Sequence, residues 1–183
     1  MSARPQAGAR SHVVLETERL ILRYLTADDV DAIFAVIGDA EAMKYYTQPF
    51  SRDDAQRWID RSLERYRTDG YGLFAVVLKS SGEVIGNCGL MRQEVEDESM
   101  LEVGYHIRRD HWGKGYATEA ARGCMEYAFR QLAAKKIISL IVPENLPSRR
   151  VAERNGMQAE RQVMFHERPH LMYSVAREDY GQA

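Results

Sequence analysis

The sequence contains few cysteines and no long apolar run, and each shortage excludes a class of protein. Two cysteines, Cys88 and Cys124, lie in apolar surroundings without the paired spacing of a zinc site, so we expect two buried free thiols and no metal. The longest strongly apolar run, Ile137 to Val142, is far too short to cross a bilayer. Residues 1–11 lack the apolar segment of a signal peptide and predict a disordered tail before a domain at 12–183. We therefore expect a cytoplasmic protein without a membrane partner.

An excess of charge of one sign is also missing. The 25 basic and 27 acidic residues leave a net charge of −2, which gives no reason to expect nucleic acid as a partner. Binding of nucleic acid through Arg149, Arg150 and Arg154 stays a weak alternative, and it predicts steeply salt-dependent affinity. A chain of 183 residues fits one domain. Such a domain buries roughly 70% of its unfolded surface, enough for its own core.

Apolar periodicity predicts alternating strands and helices along the chain. The acidic segment Gln93 to Ser99 is predicted to be a solvated turn. The aromatic segment from Ala42 to Phe50 either covers the edge of the sheet or shapes a binding pocket. The predicted strands are Val13–Leu25, Leu73–Leu78, Val84–Leu90, Leu101–Ile107, Ile137–Val142, Gln162–Phe165 and Leu171–Val175, and the predicted helices begin at Ala27, after Ser51, at Ala117 and at Asn145.

The stretch from Leu101 to Phe129 joins a strand, a glycine loop and a helix. The helical N–H groups at such a junction have no partner within the helix, and the helix dipole adds partial positive charge there. Gly113 and Gly115 allow the backbone to approach a ligand closely, so the loop predicts a phosphate cradle. The Walker pattern fails because Tyr116 and Ala117 stand where Lys-Ser or Lys-Thr would be needed. The dinucleotide fingerprint fails because Thr118 stands where its third glycine would be.

The segment WGKGYATEA, from Trp112 to Ala120, resembles the pyrophosphate loop of the GNAT N-acetyltransferases. It is most similar to the branch of the ribosomal-protein alanine N-acetyltransferases, the RimJ/RimL-like proteins. This resemblance implies an α/β (α+β) fold with a mixed, mostly antiparallel sheet of about seven strands flanked by helices. It also implies acetyl-CoA as co-substrate. The residues that it implies for coenzyme binding are His106, Ile107, Trp112, Gly113, Lys114, Gly115, Ala117, Thr118, Asn145 and Ser148.

Direct transfer of an acetyl group to an amine needs a base for the amine and a proton donor for the leaving thiolate. Glu102 is the candidate base because it lies on the strand before the loop, opposite the apolar residues. The alternative is a solvated glutamate or one paired with an arginine. His106 is a second candidate base, or else a structural histidine. The helix after Asn145 lacks the tyrosine that many superfamily members use as the acid, and Ser148 is the candidate there, or else only a residue of the helix start.

The acceptor is the least determined part of the prediction. The resemblance favours a protein N-terminal α-amine, and a small-molecule amine such as a polyamine or an antibiotic is the alternative. A coenzyme-binding module without transfer activity also fits, since the catalytic tyrosine is missing. The expected partners are acetyl-CoA and an amine, in a monomer or a homodimer.

Overall fold

Eight strands form one continuous sheet in which a single neighbouring pair is parallel. The computed structural model describes residues 12–47 and 50–181, so the predicted tail at 1–11 lies outside the described residues. The strands are β1 (Val13–Glu16), β2 (Leu20–Arg23), β3 (Leu73–Leu78), β4 (Val84–Val95), β5 (Glu98–Ile107), β6 (Lys136–Ile141), β7 (Gln158–Phe165) and β8 (Arg168–Ala176). Their order in the sheet is β1-β2-β3-β4-β5-β6-β8-β7, and only β5 and β6 pair in parallel among the strands described.

Helices cover both faces of the sheet. In the described residues they are α1 (Val30–Ile37), α2 (Arg52–Thr68), α3 (Tyr116–Gln131) and α4 (Leu146–Arg154). Phe74 and Val76 of β3 pack into the core beneath α3 and α4, whereas Ala75 and Val77 pack beneath α1 and α2. Alternate side chains of a strand point to opposite faces, so one buried strand contributes to two cores.

The predicted mixed, mostly antiparallel sheet is confirmed, with eight strands in place of about seven. The predicted first strand at 13–25 is two strands, because a turn at Thr17 separates β1 from β2. The Thr17 N–H donates to the Leu20 carbonyl over 2.9 Å, and the Leu20 N–H donates to the Thr17 hydroxyl over 3.1 Å. The four polar residues at 16–19 coincide with this turn, and the apolar alternation continues only from Leu20 onward.

The predicted acidic turn at 93–99 is wrong, because most of it is strand. Strands β4 and β5 stay paired as far as Val95 and Glu98, and only Glu96 and Asp97 form the turn, with φ of 48° and 66°. Val95 is buried, whereas Glu94 and Glu98 face solvent. Charged residues on the outer face therefore hid the period-two pattern of this hairpin.

Both cysteines are buried and free, as predicted. Their sulfur atoms lie 3.6 Å apart where β4 faces α3. Burial raises the pKa of the Cys88 thiol, which keeps it neutral and unreactive.

Candidate active site

Strands β5 and β6 separate beyond Glu102. The parallel pairing that the structure records is between Glu102 and Ile138, whereas β4 and β5 pair along the whole length of β5. Past this point, the Leu140 N–H of β6 donates to the Glu102 carboxylate over 3.1 Å. A separated strand exposes backbone groups that need other partners, and the Glu102 side chain supplies one. The carboxylate therefore lies at the closed end of the gap between the two strands.

The Glu102 carboxylate is buried and forms no ion pair with any residue that the structure describes. Its side chain accepts a second hydrogen bond from Gln93 Nε2 over 2.7 Å, and the residue is only 8% exposed. Burial raises the pKa of Glu102, and the hydrogen bonds from Gln93 and Leu140 and the charge of Arg65 only partly oppose that rise. A carboxylate whose pKa is raised by desolvation is suited to accept a proton near neutral pH.

The loop after β5 ends in an open helix N-terminus. A short 3-10 turn at Arg109–His111 leads into the loop, and Gly113 and Gly115 have φ of 73° and 83°, in the left-handed region. No side chain caps α3 at Gly115, and the Gly115 carbonyl accepts from the Glu119 N–H over 3.0 Å. The N–H groups at the start of α3, including those of Ala117 and Thr118, are thus free of intrahelical partners. This geometry suits an anionic phosphate.

Side chains from the β1–β2 turn hold this loop in place. Arg19 donates to the Lys114 carbonyl over 2.9 Å and to the Glu119 carboxylate over 2.7 Å, and its guanidinium lies 4.6 Å from the centre of the Tyr116 ring. Thr17 donates its hydroxyl to Glu119 over 2.6 Å. Burial alone would raise the pKa of Glu119, but the hydrogen bonds from Thr17 and Arg19 outweigh it and lower the pKa. This network was not visible in the sequence because its members are about 100 residues apart.

Two predicted loop residues also hold the loop itself. The Trp112 indole N–H donates to the Ile107 carbonyl over 2.7 Å, although the residue is 44% exposed. The Lys114 ammonium donates to the Asp110 carbonyl over 3.0 Å. Ile107 itself is buried in the core beneath α3. These contacts define the shape of the loop while its outer surface stays open.

Helix α4 begins next to the same gap. Asn145 caps it by accepting from the Ser148 N–H over 3.1 Å, and Tyr105 of β5 donates its hydroxyl to the Ser148 carbonyl over 2.9 Å. This bond fixes the start of α4 against β5. The Ser148 side chain also hydrogen-bonds with Tyr105, so the two hydroxyls lie next to each other at the start of α4.

The predicted coenzyme residue His106 has its side chain on the other face of the sheet, with α1 and α2. Its Nδ1 lies 3.1 Å from Asn87 Oδ1, and its Nε2 lies 2.7 Å from the Tyr46 hydroxyl. Burial lowers the pKa of His106 to about 4. Any contact of this residue with the coenzyme on the α3 face would therefore come from its backbone.

An aromatic cluster surrounds His106. The ring of Trp58 in α2 stands edge-on to it at 5.2 Å, and Phe50 joins Trp58 to Tyr46 with centroid distances of 5.7 Å on each side. Arg168, at the start of β8, donates to the Tyr45 carbonyl over 2.7 Å. The segment around Tyr46 therefore contacts β5 through His106 and β8 through Arg168.

The comparisons with known proteins agree with this geometry. Residues 19–158 match the family model described as an acetyltransferase (GNAT) domain. The chain belongs to the GNAT acetyltransferases. Protein YkkB of Bacillus subtilis is 33% identical over 87% of this chain and 93% of its own. Protein p20 of Bacillus licheniformis, named as an uncharacterized N-acetyltransferase, is 33% identical over 91% of this chain and 98% of its own.

The solved structures show the same fold. A GNAT acetyltransferase from Bacillus anthracis has a TM-score of 0.77 and 25% identity, covering 89% of this chain and 98% of its own. The chain is thus an N-acetyltransferase, and acetyl-CoA is the acetyl donor of GNAT enzymes. The open end of α3 fits such a phosphate-bearing donor. Among the described residues no cluster of metal-ligating side chains is found, and none of the described helices is long and apolar enough to cross a membrane.

Proposed function

We propose that this GNAT protein transfers the acetyl group of acetyl-CoA to a primary amine, with Glu102 as the base. The proposal rests on the position of this buried carboxylate at the closed end of the gap between β5 and β6. The open N-terminus of α3 follows the end of the same strand β5. The amine gives its proton to Glu102, directly or through a water, and its nitrogen attacks the acetyl carbon.

The coenzyme is held by the loop residues Trp112 to Thr118 and by the start of α4. The free N–H groups of the loop bind the pyrophosphate. The Ser148 hydroxyl, which lies beside the Tyr105 hydroxyl, donates a hydrogen bond to the sulfur of the leaving thiolate, and Asn145 adds a side-chain amide next to it. This assignment gives the chain a thiolate partner without the helix tyrosine that is missing here.

Electrostatics favours an acceptor with one positive charge, such as the α-amine of a peptide. Gln93, which donates to Glu102, is neutral, and the charge of Arg65 acts on Glu102. A polycation at this site would therefore be attracted by one carboxylate and repelled by Arg65. The fold itself does not discriminate. A RimL ribosomal L7/L12 alpha-N-protein acetyltransferase, at 14% identity, and the aminoglycoside acetyltransferase AAC(6')-Ib, at 18%, both have a TM-score of 0.76 to this chain. We therefore favour the RimJ/RimL type of acceptor, a protein N-terminus.

A thermal melt with acetyl-CoA followed by thiol release against an amine panel tests the proposal. Ligand at 100 times its dissociation constant adds roughly 2.7 kcal/mol, a shift of about 5–10 °C for a domain of this size. The panel contains N-terminal peptides, simple monoamines, spermidine and an aminoglycoside. We expect turnover with peptides. Turnover confined to the polycations would contradict the electrostatic argument, and the lack of a melting shift would contradict coenzyme binding by the loop.

A further inference from the structure

We infer that the phenol oxygen of Tyr46 binds the acceptor amine beside Glu102, and that His106 and Asn87 orient it for this task. The inference rests on the proposed function and adds the residues that bind the amine. Tyr46 is thus a substrate-binding residue, and His106 and Asn87 are positioning residues.

The orientation follows from a chain of hydrogen bonds. Asn87 of β4 lies directly opposite His106 of β5 in the sheet register. The Asn87 Oδ1 accepts from the Nδ1–H of His106 over 3.1 Å, so the Nε2 of the neutral ring carries a lone pair. The Tyr46 hydroxyl then donates its only proton to Nε2 over 2.7 Å. With its proton turned away, the phenol oxygen presents lone pairs alone to the gap, and it can only accept a hydrogen bond from a ligand.

The surroundings of His106 make it a poor general base. Its described neighbours Asn87, Tyr46 and Trp58 are all uncharged, and burial lowers its pKa to about 4. An imidazole with so low a pKa would be a poor acceptor for a proton from an amine, whose ordinary pKa is roughly 8 to 10. The ring therefore stays neutral during turnover, and Tyr46 keeps its proton. Glu102 remains the group that takes the proton of the amine.

Tyr46 is within electrostatic reach of Glu102. Burial raises the pKa of Tyr46, and the charge of Glu102 raises it further. Glu102 and His106 lie on the same face of β5, because alternate residues of a strand share a face. An amine that donates to the Tyr46 oxygen beside His106 is therefore on the side of the sheet where Glu102 accepts its proton, directly or through a water. Tyr46 is 43% exposed, and the one recorded hydrogen bond of its hydroxyl among the described residues is the one to His106, so its oxygen is accessible to an amine that donates to it.

Two buried donors in the same cluster indicate that it is not an ordinary part of the core. The Asn87 Nδ2 and the Trp58 indole N–H are buried and have no hydrogen-bond partner among the residues that the structure describes. Native cores rarely leave such groups unpaired, and the exceptions call for an explanation such as a functional site. Asn87 is fully buried, so its side chain is held in the one place where it fixes the His106 ring.

Steady-state kinetics with Tyr46→Phe provides the first test, with the peptide that the wild type acetylates best. This change removes the oxygen and keeps the ring in its aromatic cluster. We expect the KM for the amine to rise at least about tenfold, the value of a hydrogen bond to a charged group, while the KM for acetyl-CoA stays unchanged. Tyr180→Phe is the matched control, because Tyr180 packs against Phe129 of α3, away from His106, and should leave both values unchanged. Equal amine KM values in wild type and Tyr46→Phe would overturn the proposal.

Nitrogen-15 NMR of the histidines provides a test that needs no turnover. The His106 signals are assigned by their loss in His106→Gln. We expect an unprotonated Nε2 in the wild type and a mixture of tautomers in Asn87→Leu, which should also show a raised amine KM. A protonated Nε2 in the wild type would overturn the proposed orientation.

A titration separates failure of this inference from failure of the proposed function. The probe is a tetrapeptide with a free N-terminal alanine, added in the presence of coenzyme A, and the control is the same peptide with an acetylated N-terminus. We expect a saturable shift of the His106 Nε2 signal with the free peptide alone, and none in Tyr46→Phe. A saturable shift without any acetyl transfer would contradict the catalytic proposal and support the amine site. Turnover without a shift would support the catalytic proposal and contradict the amine site at Tyr46.

Discussion

The two sides of the gap between β5 and β6 are built from different parts of the chain. On the coenzyme side, a contiguous run from Ile107 to Thr118 offers backbone N–H groups shaped by two left-handed glycines. On the proposed acceptor side, the side chains of Tyr46, Trp58, Asn87 and Glu102 are brought together from separate elements. A site formed by the backbone of consecutive residues can be recognised as a motif in the sequence. A site formed by side chains from distant parts of the chain cannot be recognised there, because only folding brings them together.

We expect the largest effect from Glu102→Gln, which tests whether the two sides of the gap act independently. Loss of the base should lower kcat/KM for the amine by about 10²–10⁴-fold while the affinity for acetyl-CoA is unchanged. Steady-state kinetics and a coenzyme melting shift measure the two sides independently. Glu98→Gln, an exposed acid on the same strand, is the control and should be indistinguishable from the wild type. A parallel loss of coenzyme affinity in Glu102→Gln would show that the two sides are not separable.

A glycine pair tests whether the coenzyme side depends on backbone shape. Gly113 in the loop and Gly82 in the β3–β4 hairpin have φ of 73° and 74°, and a Cβ on either would meet no atom within 4 Å. Alanine at each should therefore carry the same strain, roughly 1–2 kcal/mol. We expect only Gly113→Ala to weaken acetyl-CoA binding, by about tenfold, measured by isothermal titration. Similar coenzyme affinities in the two variants would argue against the backbone cradle.

The pH dependence of stability distinguishes Glu102 from a structural carboxylate. Its pKa in the folded protein is raised, so the native state holds the proton more tightly than the unfolded chain between the two pKa values. The stability of the wild type should therefore rise as the pH falls through the folded pKa, and Glu102→Gln should lack this component. We expect the gain in Tm of Glu102→Gln over the wild type to be larger at pH 7 than at pH 4.5. An opposite order would mean that the ionised carboxylate is stabilised by partners.

Arg19→Met tests the support of the phosphate loop. It removes the bonds to Lys114 and Glu119 and keeps an apolar stem over Tyr116. Because this partly exposed network acts on the coenzyme only through the loop, we expect acetyl-CoA affinity to fall a few-fold with the amine KM unchanged. Arg52→Met, which removes an exposed pair with Asp31, should change neither value.

The smallest effect is expected from Ser148→Ala. The hydroxyl has one task in the proposed mechanism, and its loss leaves the helix cap formed by the Ser148 N–H and Asn145 intact. We expect kcat to fall less than about tenfold with a normal melting temperature, since the value of one neutral hydrogen bond is about 1 kcal/mol. An unchanged kcat would leave Ser148 with only its structural place at the start of α4.

Several errors in the sequence prediction have a common origin. The turn at Thr17 and the extension of the β4–β5 hairpin through Gln93 were missed because local apolar patterns do not register hydrogen bonds between segments. The candidate base Glu102 was selected from its position on a strand, but the bonds from Gln93 and Leu140 that define its environment were not predictable. His106 was predicted to bind the coenzyme, and the structure places its side chain on the face of the sheet that carries α1 and α2.

The sequence by itself determined the fold family and the glycine loop before α3, since both depend on residues close together in the chain. Glycines 113 and 115 before a helix specify a backbone geometry whatever surrounds them. The tertiary structure alone decided which side chains meet across the gap. Tyr46 and His106 are joined by a hydrogen bond between residues 60 positions apart, and Arg19 and Glu119 by one across 100. Such contacts follow from the strand order and the packing of helices on the sheet, which no local pattern encodes.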